Sequence, residues 1–371
     1  MPTPPYRRPL LRMNILFLTR QFFPHIGGVE THVWEIATRL IKRGHEVTVV
    51  SERDCYEYQS LKRSARMAGI NDFGSLTRQR YRKKSEKNRK ESRKKKWYIW
   101  WWLFRNRKLI ERSDLIHCHD VFFWYLPFRF LYPRKPVYTT FHGYETRFPP
   151  PKKAILIRKL SELLSWRNIC VGDYISKWYG TKPIYVTYGG VEIIPINTNT
   201  TNKYQSKNKK LKILFIGRLE EDTGLLIYLK TLELLKIKKI SFEFEACGDG
   251  SLRGEVEQYG MVYGFVKNLD SYINKADLVF SSSYLSILQS LLNKRLVIAA
   301  YNNPLKEDYL KMAPFAKWIV IENSPEKLVR KIKYFIRHLE DRMRFVNKAH
   351  EWVKDQTWDN VVKLYIRLWK L

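Results

Sequence analysis

The chain has 371 residues, 44% hydrophobic and 15% aromatic, and its 68 Lys and Arg outweigh 36 Asp and Glu for a formal charge of +32. Such a length and apolar content support two domains with a core each and exclude a disordered or fibrous chain. No run of about 18 uncharged apolar residues occurs and no apolar signal core opens the chain, so the expectation is a cytoplasmic protein, at most peripheral on the inner face of a membrane.

Residues 1–12 are proline-rich and basic and read as a disordered arm. A strand over 14–19 follows, then Gly27 and Gly28, then a helix with Val33, Ala37, Leu40 and Ile41 on one face and Gly44 at its end. The next strand is 46–51, and a basic insert occupies 60–96. Between Arg78 and Lys96, twelve Lys or Arg stand against Glu86 and Glu91 and run into Trp97-Tyr98-Ile99-Trp100-Trp101-Trp102-Leu103-Phe104. Cations beside headgroup-seeking aromatics suit an anionic membrane surface. A solvated loop entering a buried helix accounts for the same residues, whereas nucleic acid is disfavoured because no binding module accompanies the charge. Further strands are expected at 115–118, 137–141, 169–171 and 184–187.

A polar stretch without apolar period fills 197–210, so the linker is placed at 194–210. The second half repeats the opening: a strand over 212–216 runs into Gly217-Arg218 and Gly224, with strands to follow at 242–246, 261–263, 277–280, 296–299 and 318–321. Strands alternating with helix-length segments imply an α/β chain with parallel sheets covered on both faces, divided as 13–193 and 211–350. The tail, 351–371, carries Trp358, Val362, Tyr365, Leu368 and Trp369 at three- and four-residue steps, a stripe expected to cross back to the first domain. Two strand-turn-helix units about two hundred residues apart suit a diphosphate, since glycines admit a close backbone approach and helix N-termini offer free N–H groups. Cys55, Cys118, Cys170 and Cys247 lack metal-like spacing, and reduced thiols are expected. His117 and His119, two apart on a strand, point the same way beside Asp120 and raise a metal reading that no further ligand motif supports.

Taken together, these residues resemble the family 4 glycosyltransferases, retaining enzymes of the GT-B fold with two Rossmann-like domains facing each other across a cleft. The resemblance lies in Gly27-Gly28-Val29-Glu30-Thr31-His32, His117-Cys118-His119-Asp120, Thr140-Phe141-His142-Gly143, Gly217-Arg218-Leu219, Gly248-Asp249-Gly250 and the run 276–299, in that order. It implies a UDP- or GDP-sugar donor held mainly by the second domain, a glycan or lipid-linked acceptor held by the first, and neither metal nor other cofactor. Gly27, Gly28, Gly217, Arg218, Thr223, Gly248, Asp249, Gly250, Ser283, Tyr284, Leu285 and Gln289 then form the donor side. Glu30, His32, His119, Asp120, Tyr144 and Glu145 line the acceptor side, and Glu192 sits near the domain crossing. Arg218 would meet the charge growing on the leaving diphosphate and His142 would orient the reacting sugar; a satisfied strand-end histidine is the plainer account of the latter.

The chain departs from the family twice. Thr223 stands where the family carries a lysine, and of two glutamates eight residues apart, the first falls among serines and the second is Gln289. Either the donor site is rearranged or the fold has lost turnover; retention of Gly217, Arg218, Gly248-Asp249-Gly250 and His142 favours rearrangement. A basic polyanion-binding protein is the non-enzymatic alternative.

Overall fold

Short runs rich in branched and aromatic residues, about half of them ending on or followed by Gly, Ser or Asp, build two separate parallel sheets. The computed structural model describes residues 12–22, 27–52, 91–143, 148–193, 210–266 and 268–370, with only the backbone of 91–96. The N-terminal arm, Cys55, most of the basic insert, Tyr144, Glu145 and nearly all of the linker lie outside the described residues.

The first unit comprises β1 (Asn14–Thr19), α1 (Gly28–Lys42), β2 (Glu46–Ser51), α2 (Glu91–Arg105), α3 (Lys108–Arg112), β3 (Leu115–His119), α4 (Phe122–Leu131), β4 (Val137–Phe141), α5 (Lys152–Leu164), β5 (Arg167–Val171), α6 (Tyr174–Tyr179) and β6 (Tyr185–Thr187). Its strand order is β2-β1-β3-β4-β5-β6. The second comprises β7 (Leu211–Ile216), α7 (Leu225–Ile237), β8 (Phe242–Cys247), α8 (Arg253–Glu257), β9 (Met261–Val262), α9 (Asp270–Ile273), β10 (Leu278–Phe280), α10 (Tyr284–Leu292), β11 (Leu296–Ala300), α11 (Pro304–Lys311), β12 (Val320–Glu322), α12 (Pro325–Arg337) and α13 (Leu339–Val353), with α14 (Trp358–Trp369) closing the chain. Its order is β12-β11-β10-β7-β8-β9. In both sheets the first strand lies between its successor and a later strand, so the order reverses beside β1 and beside β7. Ligands of open α/β sheets bind outside the strand ends at such reversals, which is where Gly27-Gly28 and Gly217-Arg218 stand.

Two helical layers cover the first sheet. On one face, Phe17, Ile36 and Leu40 pack with Trp358, Val361, Val362, Tyr365, Leu368 and Trp369, so the last helix completes the core of the first domain. The crossing is pinned where Val191 N–H donates to the Gln356 carbonyl at 2.8 Å. A Cβ on Gly190 would lie 2.6 Å from the Trp358 nitrogen. Ion pairs from Arg39 to Glu192 and from Arg43 to Asp359 (2.7 Å) flank it.

On the other face, α2 and α4 pack over β1 and β3. The aromatic run is buried on one side and exposed on the other. Ile99, Trp102 and Leu103 are buried, and Trp100 Nε1–H donates to the Phe123 carbonyl at 3.0 Å. Trp97, Trp101 and Phe104, at steps of four and three, are exposed on the outer face. Cys118, Cys170 and Cys247 are buried free thiols, and burial pushes Cys170 and Cys247 up to about 12.

Candidate active site

At the strand ends of the first sheet, alternation along β3 sends His117 and His119 to one face, and β4 delivers His142 beside them. His119 Nδ1 and His142 Nε2 share a hydrogen bond of 3.0 Å. His32, from α1, meets the His142 ring edge-on at 4.8 Å, and its Nε2 bonds the Tyr365 hydroxyl at 2.9 Å. Thr140 Oγ1 bridges that hydroxyl, at 2.9 Å, to His117 Nε2, at 2.7 Å, and Trp369 Nε1–H donates to His117 Nδ1 at 3.1 Å. The last helix therefore serves as the floor of the histidine cluster.

Burial holds all four imidazoles neutral: His32, His117 and His119 lie well below the usual histidine range, and His142 falls to about 3, with the Arg158 charge adding to the shift. A neutral imidazole orients a sugar hydroxyl by hydrogen bonding and cannot deliver a proton as an acid. Asp120 follows β3 at a φ of 60°, a backbone form costly for a residue with a side chain. Its carboxylate holds that form by accepting the His142 backbone N–H at 3.1 Å and Arg158 Nη1 at 3.0 Å. Arg158 also donates to the Gly143 carbonyl at 3.0 Å and lies 4.5 Å over the Tyr179 ring. Glu30, His119, Asp120, Phe141, Lys153 and Arg158 line a cavity of about 530 Å³ here. Among the described residues no three His, Cys, Asp or Glu side chains are placed to hold a metal ion.

Arg158 escaped the sequence reading. The sequence pattern pointed the other way, since the apolar stripe of α5, Leu156, Leu160 and Leu163, is exposed while Arg158 and Ser161 turn inward.

In the second domain two turns lie against each other. Leu219 N–H donates to the Asp249 carbonyl at 3.0 Å, and Leu252 N–H donates to the Leu219 carbonyl at 3.0 Å. A Cβ on Gly248, whose φ is 152°, would come within 1.8 Å of the Gly217 carbonyl oxygen, so this contact alone requires glycine there. Arg218 is half exposed at this turn and pairs with Asp222 at 2.6 Å. Thr223 turns its hydroxyl inward, donating to the Glu220 carbonyl at 2.7 Å and the Arg218 carbonyl at 3.1 Å. In the first domain, a Cβ on Gly27 would strike Glu30, while one on Gly28 would meet nothing within 4 Å, leaving that turn open to an approaching ligand.

The sheets meet at their strand ends. Gly172, directly after β5, approaches Tyr284, the first residue of α10. Tyr284 is buried, stacks on Tyr309 at 4.0 Å and donates its hydroxyl to the Tyr309 carbonyl at 2.8 Å; Leu285 packs beside Gly189. Tyr284 and Leu285 thus join the domains. Ser283 bonds Ser286 at 2.9 Å, and Gln289 donates to Asp270 at 3.1 Å.

Two reversed parallel sheets joined at their strand ends, with a glycine turn at each and a polar pocket on the first, define the GT-B class of two-domain transferases. Residues 26–193 match the model of Glycosyltransferase Family 4, and residues 197–352 that of Glycosyl transferases group 1. The chain belongs to the family 4 glycosyltransferases. It is similar to a solved glycosyltransferase from Rickettsia africae (TM-score 0.65, 16% identity, 97% of this chain and 98% of that one). It is also similar to the catalytic domain of starch synthase IV from Arabidopsis thaliana bound to ADP and acarbose (TM-score 0.61, 12% identity, 97% and 99%). A stretch of 38 residues is 42% identical to a component of human phosphatidylinositol N-acetylglucosaminyltransferase, and covers 10% of this chain and 8% of that protein.

Proposed function

We propose that this glycosyltransferase moves a sugar from a nucleoside diphosphate donor, seated at the Gly217-Arg218 turn, to a glycan or lipid-linked acceptor seated in the pocket of the first domain. Configuration at the anomeric carbon is retained. The observation that carries this reading is the pocket beside β1, β3 and β4, walled by Glu30, His119, Asp120 and Arg158 next to His142. An acceptor hydroxyl entering there meets neutral imidazoles and paired charges fixed before it arrives, which lowers the orientation cost of reaction. On the donor side, Arg218 and the open backbone at Gly28 offer positive ends where the departing diphosphate gains charge.

The acceptor is membrane-borne in this reading. Leu156, Leu160 and Leu163 stand exposed at steps of four and three on α5, among exposed Lys152, Lys153 and Lys159. With Trp97, Trp101 and Phe104 on α2 they belong to one helical layer, since α2 touches α4 and α4 touches α5. Leucines ringed by lysines suit an anionic bilayer surface, and Lys153 and Ile157 of the same helix line the pocket, so a lipid-linked acceptor has a short route into it. Among the described residues no helix is long and apolar enough to cross a membrane.

Both halves are tested by incubating the protein with vesicles of anionic or zwitterionic lipid and radiolabelled UDP-, GDP- and ADP-sugars. Expected are salt-sensitive pelleting with anionic vesicles only, lost in a Leu156→Ser/Leu160→Ser/Leu163→Ser variant, and label from one donor in the lipid or glycan fraction of a membrane extract. Equal recovery in the supernatant with both vesicle types at low salt would sink the membrane half.

A further inference from the structure

Thr223 leaves the donor turn one cation short, and Arg218 does not make up the deficit, because its pairing with Asp222 at 2.6 Å leaves the two together neutral. A second cation comes from another part of the chain. Lys306 lies in the first turn of α11, 8% exposed, with its ammonium 4.0 Å over the Tyr309 ring. No hydrogen bond or ion pair engages that ammonium among the described residues. Its acidic neighbours are turned elsewhere: Glu307 to Lys311 and Tyr301, and Asp308 to Lys177 and Trp178.

The segment before α11 lies against the Arg218 turn. Asn302 Nδ2–H donates to the Glu221 carbonyl at 3.3 Å, and a Cβ on Gly224 would stand 2.9 Å from the Ala300 carbonyl oxygen. Burial brings the Lys306 amine down to about 8; through space the Asp222 carboxylate opposes that fall and the Arg218 charge adds to it, so both groups of the turn lie within electrostatic reach of Lys306. A largely buried ammonium with no anion in direct contact is costly, and a cation in the first helical turn also opposes the helix dipole. An anion bound between Lys306 and Arg218 relieves both penalties.

We propose that Lys306 is a donor-binding residue that supplies the second cation of the diphosphate site, in place of the lysine absent at Thr223. This rests on the nucleotide-donor reading above and adds the group that makes the site net positive.

The test compares binding of UDP, GDP and ADP, and of the matching nucleosides, to the full-length parent and to Lys306→Gln, Lys306→Met and Lys306→Arg by calorimetry. Methionine keeps the buried chain over Tyr309 should glutamine impair folding. A charge-assisted contact to phosphate implies that removing the ammonium weakens the preferred diphosphate about tenfold or more, with nucleoside affinity unchanged and arginine retaining most of the diphosphate affinity. Diphosphate binding within about twofold of the parent in a folded Lys306→Met protein would overturn the assignment while leaving the donor reading intact. A folded parent that binds no nucleotide would overturn both.

Discussion

A chain ending at Thr357 is expected to lose the cooperative fold of its first domain, although that domain's own strands and helices all precede residue 194. Trp358, Val361, Val362, Tyr365, Leu368 and Trp369 are buried against α1 and the first sheet. At about 1.5–3 kcal/mol for each large side chain removed from the core, the loss is on the order of 10 kcal/mol, and the compact character of real unfolded chains trims it. A domain typically has only about 5–15 kcal/mol in hand. The same truncation strips the Tyr365 hydroxyl from His32 and Thr140 and the Trp369 donor from His117, so the polar network beneath the cluster loses the bonds that order it. Near-ultraviolet circular dichroism and dye binding to exposed apolar surface report the outcome. A truncated protein with native-like signals and a sharp melting transition in both domains would show that α14 is an accessory to the first core.

Acid should destabilise the protein well before its carboxylates titrate. His32, His117, His119 and His142 are neutral when folded because burial penalises the imidazolium, while in the unfolded chain each regains a pKa near 6.5. A lowered folded pKa means that the unfolded state binds more protons, so their contribution is complete above about pH 6.5 and shrinks as pH falls below it. One unit below 6.5, each fully buried histidine costs about 1.4 kcal/mol, and the four together on the order of 5–6 kcal/mol. His45 and His350, also lowered by burial, act in the same direction. Chemical denaturation at about pH 7.5 and about pH 5.5 measures this directly. Equal unfolding free energies at the two values would mean that the cluster opens to water or accepts a proton without cost.

The two sheets were legible because most strands are short runs rich in apolar residues, several with a turn residue after them. Most expected strands fall within a residue or two of the observed ones, as at β4, matched end to end over 137–141, and at β8, one residue longer than 242–246. The crossing helix was legible for the same reason: a stripe at three- and four-residue steps marks a face that has to be buried. The aromatic run before α3 was less so, since it is apolar or aromatic all round the helix, and only tertiary packing decides that Trp102 turns inward and Trp101 outward.

The resemblance singles out motif residues without saying how each packs. Tyr284 and Leu285 sit in a run resembling a donor segment, yet their bulk and position at the start of α10 draw them into the contact between domains. Conversely, Arg158 and Lys306 belong to no motif. Each reaches its place through helix packing, Arg158 by facing Asp120 across the pocket and Lys306 through the seating of α11 against the Arg218 turn. A lone charge among many on so basic a chain carries no mark of burial in the sequence.

The central claim is a nucleoside diphosphate site on the second domain, and a thermal-shift titration with UDP, GDP, ADP and their common sugar conjugates tests it most directly. A ligand that binds only the folded protein adds about 2.7 kcal/mol of stability at a hundred times its dissociation constant. A saturable rise in melting temperature with one base and its sugar conjugate, absent with the free nucleoside monophosphates of the other bases and reduced in Arg218→Gln, is the predicted result. No rise with any nucleotide, from a protein with intact near-ultraviolet signals, would contradict the donor site and with it the proposed transfer.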